Sequence, residues 1–204
     1  MTRPDIVILA GGQASRLGGG DKCLLPLAGD TVLGHILRRL AGQGARCAIN
    51  ANGDPARFAG FGRPVLADSI EGRPGPLAGV LTAMEWAETP YVVTVPADAP
   101  FIPFDLIVRL LAARDAAGAD IAVAASGGRL HPVVALWPVR LAPDLHRAIG
   151  QGVRKVENWI AGFQAVRVTF SAEPVDPFFN INRPEDLIEA ESLYRQDAET
   201  PHVG

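Results

Sequence analysis

An apolar run that ends in a glycine-rich loop constrains this sequence more than any other feature. Residues Ile6 to Ala10 are uniformly apolar, which predicts a strand buried on both faces, as in a parallel sheet. Gly11-Gly12 follow directly, and three more glycines occupy positions 18–20. Glycines placed after a buried strand let backbone N–H groups approach an anion closely. The strand and its loop therefore predict an α/β protein with an anion site where the strand ends.

Two cations accompany these glycines. Arg16 precedes the second group of glycines and Lys22 follows it, so the loop carries one forked and one compact cation, both of which bind phosphate. A plain glycine-rich turn needs neither charge. No Gly-Lys-Ser/Thr closes the loop as in a P-loop, and the G-x-G-x-x-G spacing of dinucleotide-binding proteins is absent. The loop predicts a polyphosphate ligand.

Length and composition limit the remaining choices. A chain of 204 residues suits one α/β domain over residues 1–204, with a loose tail expected at 197–204. The net charge of −3 argues against a nucleic-acid partner. Cys23 and Cys47 are too few for a disulfide framework and predict buried thiols in a reducing compartment. No stretch resembles a signal peptide or a membrane span, so we expect a cytoplasmic protein without membrane contacts.

Further short apolar runs end in polar residues. Cys47–Asn50 and Pro64–Ala67 read as strands, and the second of them ends at Asp68. Tyr91–Val95 is strongly apolar, which predicts a central strand, and Asp98 follows it. Open α/β sheets bind ligands beyond the carboxyl ends of their strands, so these polar residues are predicted to share one edge.

Three polar residues support more specific predictions. Asp98 lies between prolines in P-A-D-A-P-F-I-P, so its backbone is stiff and its carboxylate is expected in the crevice. Mg²⁺ usually takes one or two carboxylates together with nucleotide phosphates, which makes Asp98 the predicted metal ligand rather than a turn residue. Asn50 and Asn52, paired at the end of a strand, suit recognition of a base or ribose and equally suit an ordinary turn, and both interpretations remain open.

The second half of the chain continues the alternation of short apolar runs and amphipathic segments. Ile121–Ala125 and Val133–Trp137 are predicted to form an antiparallel excursion near one end of the sheet. Val153–Val156 is predicted to start a helix, so Arg154 and Lys155 lie where the helix dipole does not favour a cation. They are candidate substrate-binding residues or part of a solvated helix face. The whole pattern predicts a doubly wound, mostly parallel sheet, similar to a Rossmann fold, in a single domain.

The motifs together resemble one family. The stretch from Leu9 to Leu25 resembles the signature loop of nucleotidyltransferases that activate sugars and cofactors, and within them the molybdenum cofactor guanylyltransferases. D…GPLAG over Asp68–Gly79 and the motif around Asp98 resemble the same family. So does F-N-I-N-R-P-E-D-L, in which Asn180 and Asn182 alternate along an extended segment and can point the same way. The family usually has Thr where this chain has Arg183.

This resemblance implies a reaction in which GTP and molybdopterin give the guanine dinucleotide cofactor and pyrophosphate, with Mg²⁺ as cofactor. It implies partner proteins that deliver the molybdopterin or receive the product. It also implies catalytic roles for Lys22, Arg16 and Asp98 and a positioning role for Asn180 and Asn182. The residues expected to bind the nucleotide are Leu9, Ala10, Gly11, Gly12, Lys22, Asn50, Asp68 and Asp98.

Three alternatives to this activity remain. A cytidylyltransferase for the same pterin would share almost every feature, although that branch tends to carry alanine where this chain has Gly11. A sugar-1-phosphate nucleotidyltransferase and a non-enzymatic nucleotide-binding regulator are the other two. Release of pyrophosphate from the nucleotide would distinguish the enzymes from the regulator.

Overall fold

The computed structural model describes residues 2–11, 21–70 and 75–199. The strands in these ranges are β1 (Asp5–Leu9), β2 (Pro26–Leu27), β3 (Asp30–Thr31), β4 (Cys47–Asn50), β5 (Val65–Leu66), β6 (Tyr91–Pro96), β7 (Ile121–Ser126), β8 (Arg129–Pro138) and β9 (Ala165–Thr169). The helices are α1 (Val32–Leu40), α2 (Pro76–Trp86), α3 (Leu106–Ala117), α4 (Ala142–Gly150), α5 (Val156–Ile160) and α6 (Pro184–Glu199). Short 3-10 helices occupy Lys22–Leu24, Pro55–Phe61 and Val139–Leu141.

Seven of the strands form one sheet in the order β5-β4-β1-β6-β8-β7-β9, while β2 and β3 form a separate small hairpin. Neighbouring strands are parallel except that β8 is antiparallel to both β6 and β7. The predicted doubly wound, mostly parallel sheet is therefore confirmed, as is the central place of β6.

The predicted antiparallel excursion near one end of the sheet is confirmed, since β7 and β8 pair antiparallel and, among the described strands, only β9 lies beyond β7 in this sheet. The reversed strand β8 lies inside the sheet, while β9 forms the edge beside β7. The residues Val134–Pro138 are buried, and Trp137 is fully buried. A strand that is apolar on both faces is covered on both faces, which an interior position provides.

The alternation of side chains along the strands divides the core into two layers. Ile6 and Ile8 of β1 face the layer that contains α1, α3 and α6. Val7, between them, faces the opposite layer with α2, α4 and α5. Because successive side chains of a strand point to opposite faces, a uniformly apolar strand needs helices on both sides.

Helix α2 is positioned by an unusually close contact with the sheet. All residues from Leu77 to Met84 are buried, so this part of the helix is enclosed on every side. A Cβ atom added to Gly79 would lie 2.6 Å from Oδ1 of Asn50 and 2.9 Å from Cδ2 of Leu9. Glycine therefore allows the first turns of α2 to lie directly against the carboxyl ends of β1 and β4.

The C-terminal helix extends further than the sequence suggested. Helix α6 continues to Glu199, so residues 197–199 of the predicted loose tail are helical. No glycine or proline interrupts residues 185–200, which explains the continuation. The other tail residues, 200–204, lie outside the described part of the chain. None of the helices in the described ranges has the length and apolar character needed to cross a membrane.

Candidate active site

The order of the strands reverses at β1. The chain passes from β1 outward to β4 and β5, and then returns to place β6 on the other side of β1. Such a reversal opens a crevice at the carboxyl ends of the strands. Backbone bonds continue across this edge, since Ala10 N donates to Asn50 O at 2.8 Å and Ala97 N donates to Leu9 O at 3.0 Å.

The crevice contains a cavity of about 460 Å³, which is the size range of small-molecule sites. Five of the residues predicted to bind the nucleotide lie in its wall. The complete lining of the cavity is Leu9, Ala10, Gly11, Asp21, Asn50, Asn52, Arg57, Asp68, Gly75, Pro76, Gly79, Pro96 and Val133.

Two asparagine side chains hold Asp68 in this wall. Nδ2 of Asn50 donates to the Leu66 carbonyl at 3.1 Å and to Oδ1 of Asp68 at 2.9 Å. Nδ2 of Asn52 donates to Oδ2 of Asp68 at 2.7 Å, while its Oδ1 accepts from Asp68 N at 2.9 Å. Both amide hydrogens of Asn50 are thus occupied, so this side chain can serve a ligand only through its oxygen.

Sequence reasoning missed two charged residues of the cavity, Asp21 and Arg57. Asn52 was singled out together with Asn50, because the two form a pair of asparagines at the carboxyl end of a strand. Arg57 forms a 2.7 Å ion pair between its Nε and Oδ2 of Asp21 and also donates to the Asn52 carbonyl. Asp21 and Arg57 carry no comparable signal, because they lie 36 positions apart by number and meet only in the fold.

A second cavity of about 80 Å³ adjoins the first, with Leu9, Ala10 and Pro96 in both walls. Lys22, Cys23, Ala97 and Asp98 complete its lining. The space exceeds what a single water needs, so it can hold a cation or part of a phosphate group. Burial raises the pKa of the Cys23 thiol to about 12, which leaves it uncharged.

Asp98 is the most exceptional residue of this second cavity. Its Oδ1 is buried and has no hydrogen-bond partner within the described residues. Burial raises the pKa of this carboxyl group, while the charge of Lys22 acts in the opposite direction. A buried carboxylate oxygen without a donor requires an explanation, and a bound cation would supply one. The unpartnered carboxylate oxygen of Asp98 is therefore a suitable ligand for the predicted Mg²⁺.

The described ranges contain no group of three or more His, Cys, Asp or Glu residues arranged to hold a metal ion. This agrees with the usual behaviour of Mg²⁺, which takes one or two carboxylates and completes its ligands with water and phosphate oxygens.

The segment before α6 contributes to the same site. Nζ of Lys22 donates to Oδ1 of Asn182 at 2.9 Å, and Ile181 N donates to the carbonyl of Asp98 at 2.9 Å. Asn182 thus contacts Lys22, and both Asn182 and Asn180 are exposed. Their role in substrate binding stays a prediction. Oδ2 of Asp186 accepts from the backbone N–H groups of Asn182 and Arg183, so an aspartate caps the start of α6 in the absence of the family's threonine.

Arg154 is engaged elsewhere. Its Nη1 donates to the carbonyls of Ile149 and Val153 at 2.8 and 2.9 Å, close to the C-terminus of α4, where the helix dipole favours a cation. The predicted helix start was therefore misplaced, since α5 begins only at Val156. Lys155 is exposed, and its predicted role in substrate binding stays a prediction. Gly12 and Arg16 lie outside the described residues.

Comparison with known proteins identifies the family. Residues 6–167 match the MobA-like NTP transferase domain. The chain is 52% identical over 198 residues to the molybdenum cofactor guanylyltransferase of Rhodopseudomonas palustris strain BisB5, covering 94% of each chain. It is 50% identical over 196 residues to the protein of that name from Mesorhizobium japonicum, covering 92% of this chain and 94% of the relative. The chain belongs to the molybdenum cofactor guanylyltransferase family.

Solved structures share the fold of this guanylyltransferase family member. Molybdopterin-guanine dinucleotide biosynthesis protein A from Archaeoglobus fulgidus has a TM-score of 0.76 at 23% identity, covering 94% of this chain and 99% of its own. The 2-C-methyl-D-erythritol 4-phosphate cytidylyltransferase from Thermus thermophilus has a TM-score of 0.67 at 22% identity, with coverages of 96% and 100%. The nucleotidyltransferase fold expected from the resemblance is therefore confirmed.

Proposed function

We propose that this protein transfers GMP from GTP to the terminal phosphate of molybdopterin, producing the guanine dinucleotide cofactor and pyrophosphate. The observation that carries the proposal is the 52% and 50% identity, over nearly the whole chain, to relatives named for this guanylyl transfer. The two adjoining cavities support it, since one suits a nucleoside and the other a charged phosphate with its counter-ion.

The reaction needs little acid–base chemistry from the protein. An oxygen of the pterin phosphate forms a bond to the α-phosphorus of GTP, and the bond from that phosphorus to the bridging oxygen of pyrophosphate breaks. The attacking phosphate is already ionised near neutral pH, so no general base has to take a proton. The protein's task is to bring two anions together and to stabilise charge on the leaving pyrophosphate.

Lys22 is the residue proposed to meet that charge. Its ammonium group lines the smaller cavity beside Asp98, and Asn182 fixes its position. A point charge held in place before the reaction stabilises developing negative charge without having to reorganise. We assign Arg16 and the backbone of Gly11 and Gly12 to the phosphates as well, on the family motif alone.

Asp98 is proposed to hold Mg²⁺ through the carboxylate oxygen that lacks a partner. When bound, the ion would neutralise charge on the nucleotide phosphates. The carboxylate must be ionised for this role, and the nearby charge of Lys22 favours the ionised form even though burial opposes it.

The larger cavity is proposed to bind guanosine. The Asp68 carboxylate is a pure acceptor, which suits the N1 and N2 donors of guanine or the ribose hydroxyls. The oxygen of Asn50 adds another acceptor, and the backbone at Leu9, Ala10 and Gly11 lies in the same wall. A wrong base that leaves such a group without a hydrogen bond binds less favourably by about 1–3 kcal/mol per group.

The test is pyrophosphate release with each of the four nucleotides, with and without molybdopterin and with and without Mg²⁺. We expect efficient release only with GTP, molybdopterin and Mg²⁺ together, and a larger rise in melting temperature with GTP than with CTP or ATP. Equal use of CTP would reassign the protein to cytidylyl transfer. Release with a sugar 1-phosphate but not with molybdopterin, or nucleotide binding without any turnover, would contradict the proposal. The protein partners and the cytoplasmic location stay predictions.

A further inference from the structure

Arg57 connects the two halves of the larger cavity. Its Nε forms a 2.7 Å ion pair with Oδ2 of Asp21, the residue directly before Lys22. Its Nη2 donates to the carbonyl of Asn52 at 2.5 Å, and the side chain of Asn52 holds both the backbone and the carboxylate of Asp68. One guanidinium group therefore joins the end of the phosphate loop to the acceptor proposed for the nucleoside.

The surrounding structure fixes this guanidinium group. Gly53 has a φ of +87°, and a Cβ atom added there would lie 3.1 Å from Nη1 of Arg57, so glycine permits both the turn and the return of the side chain. Cζ of Arg57 lies 5.0 Å from the ring centroid of Phe58, which is fully buried. Oδ1 of Asp54 accepts from Ala56 N at 2.9 Å and anchors the start of the 3-10 helix that carries Arg57.

We propose that Arg57 is a positioning residue that sets the separation between Asp68 and Lys22, which is an inference that rests on the nucleotide site proposed above. A planar guanidinium donates to two acceptors at a fixed angle, unlike an ammonium group on a flexible stem. A nucleoside triphosphate extends from one end of the site to the other, so it can contact Asp68 and Lys22 together only when the two residues are held at the right separation. Arg57 acts through Asn52 and Asp21.

The test measures discrimination between nucleotides rather than activity alone. Wild type, Arg57→Gln and Asp68→Asn are compared in kcat/KM and in Kd for GTP, for 2′-deoxy-GTP and for ITP, which lacks the exocyclic amine of guanine. Asp68→Asn shows which of the two missing groups the Asp68 carboxylate recognises. We expect Arg57→Gln to reduce the preference for GTP over the analogue that lacks this group by about fivefold or more. A displaced Asp68 no longer contacts the group, so its absence costs less binding energy.

Arg63→Gln is the matched control, since Arg63 is an exposed arginine just before β5 and its loss should leave the discrimination unchanged. A folding defect alone would lower the active fraction and reduce the apparent kcat/KM for all three nucleotides in equal proportion. A uniform reduction in Arg57→Gln, or a wild type that binds all three nucleotides equally, would therefore overturn the proposal. If Arg57→Gln does not fold, Arg57→Lys serves instead, because it keeps the charge but loses the fork.

A second measurement addresses the connection itself. Asp21→Asn weakens the same ion pair by changing the partner of Arg57. If the two residues act through this pair, the effects of Asp21→Asn and Arg57→Gln on nucleotide discrimination should be less than additive in the double variant. Fully additive effects would contradict the proposal. The Kd values need no acceptor, so they remain decisive even if molybdopterin proves not to be the substrate. If wild type prefers CTP, the same comparison is made with CTP and 2′-deoxy-CTP.

Discussion

Nζ of Lys22 donates a 2.9 Å hydrogen bond to Oδ1 of Asn182, a residue 160 positions further along the chain. The ammonium group is therefore held from outside its own loop. A lysine whose long side chain is fixed before the substrate arrives loses less conformational freedom on binding. This contact makes the segment before α6 part of the candidate active site rather than a mere connection.

Replacing Lys22 by methionine tests the role of its charge. Lys22→Met keeps an unbranched side chain of similar length but removes the ammonium group that is proposed to meet the phosphates. We expect turnover with GTP and molybdopterin to fall by about 100-fold or more, the loss typical of removing one preorganised group that stabilises transition-state charge. The urea midpoint should change little. Arg63→Met, which removes one exposed charge, is the control, and equal turnover in both variants would contradict the assignment.

Replacing Asp98 by asparagine should separate stability from activity. A carboxyl group whose pKa is raised by folding costs stability as the pH rises from its unfolded pKa through its folded pKa, so Asp98 lowers the stability of the metal-free protein at neutral pH. Asp98→Asn should have a urea midpoint at least as high as wild type without metal, whereas adding Mg²⁺ to the GTP complex should raise the midpoint further only in wild type. Turnover should fall by ~100-fold or more, because a metal contributes several kcal/mol of charge stabilisation.

Asp105→Asn is the matched control for this experiment, because Asp105 is an exposed carboxylate at the start of α3. It should change neither the urea midpoint nor the response to Mg²⁺ by a measurable amount. Full Mg²⁺-dependent turnover in Asp98→Asn would move the metal assignment to another carboxylate, first to Asp68.

The close approach of α2 to the sheet predicts the effect of a single methyl group. Gly79→Ala would place Cβ 2.6 Å from Oδ1 of Asn50 and force the helix or the asparagine to move. Although alanine normally favours a helix over glycine, we expect a loss of about 1–3 kcal/mol in the free energy of unfolding and a higher Kd for GTP. Gly60→Ala, where no atom lies within 4 Å of the new Cβ, should do neither.

The buried His35 predicts a loss of stability in mild acid. Its Nε2 lies 2.7 Å from the Leu27 carbonyl and its Nδ1 lies 2.8 Å from Nη2 of Arg38, so the neutral ring donates at one nitrogen and accepts at the other. Burial lowers the pKa of this imidazole. Its contribution to stability is therefore complete above the unfolded pKa of about 6.5 and is lost as the pH falls through the folded pKa.

Urea midpoints measured from pH 8 to pH 5 give the test. His35→Gln preserves one donor and one acceptor but does not titrate, so its stability should fall less with decreasing pH than that of wild type. His146→Gln, which removes an exposed imidazole, should follow the wild-type curve. Identical pH dependence in wild type and His35→Gln would show that other groups cause the acid loss.

The sequence was sufficient for the elements whose signals are local. β1 and β6 are short apolar runs that end at glycine or proline, and their burial on both faces requires the layered fold that was predicted. The position of β8 could not be predicted in this way, because its apolar pattern specifies a strand but not which neighbours it pairs with. Partner choice depends on the packing of the whole sheet.

The same distinction applies to the candidate site. Asp68 and Asp98 could be proposed as site residues because each lies just beyond the carboxyl end of a strand in the mostly parallel sheet, where ligands bind. Arg57 could not, because an arginine among turn residues is usually solvated and its meeting with Asp21 exists only in the folded chain. The start of α5 was predicted too early because the end of α4 and the start of α5 are close together. Arg154 donates to the carbonyls of the preceding helix, and its role in substrate binding stays a prediction.

The backbone bond from Ile181 to the Asp98 carbonyl has a consequence for biosynthesis. Chains fold from the N-terminus as they leave the ribosome, so the strands that carry Asp68 and Asp98 emerge long before Ile181 does. The candidate site is therefore completed only after a segment translated long after Asp98 has emerged. A nascent or prematurely terminated chain that lacks this segment can assemble the inner strands but leaves Lys22 without its contact to Asn182.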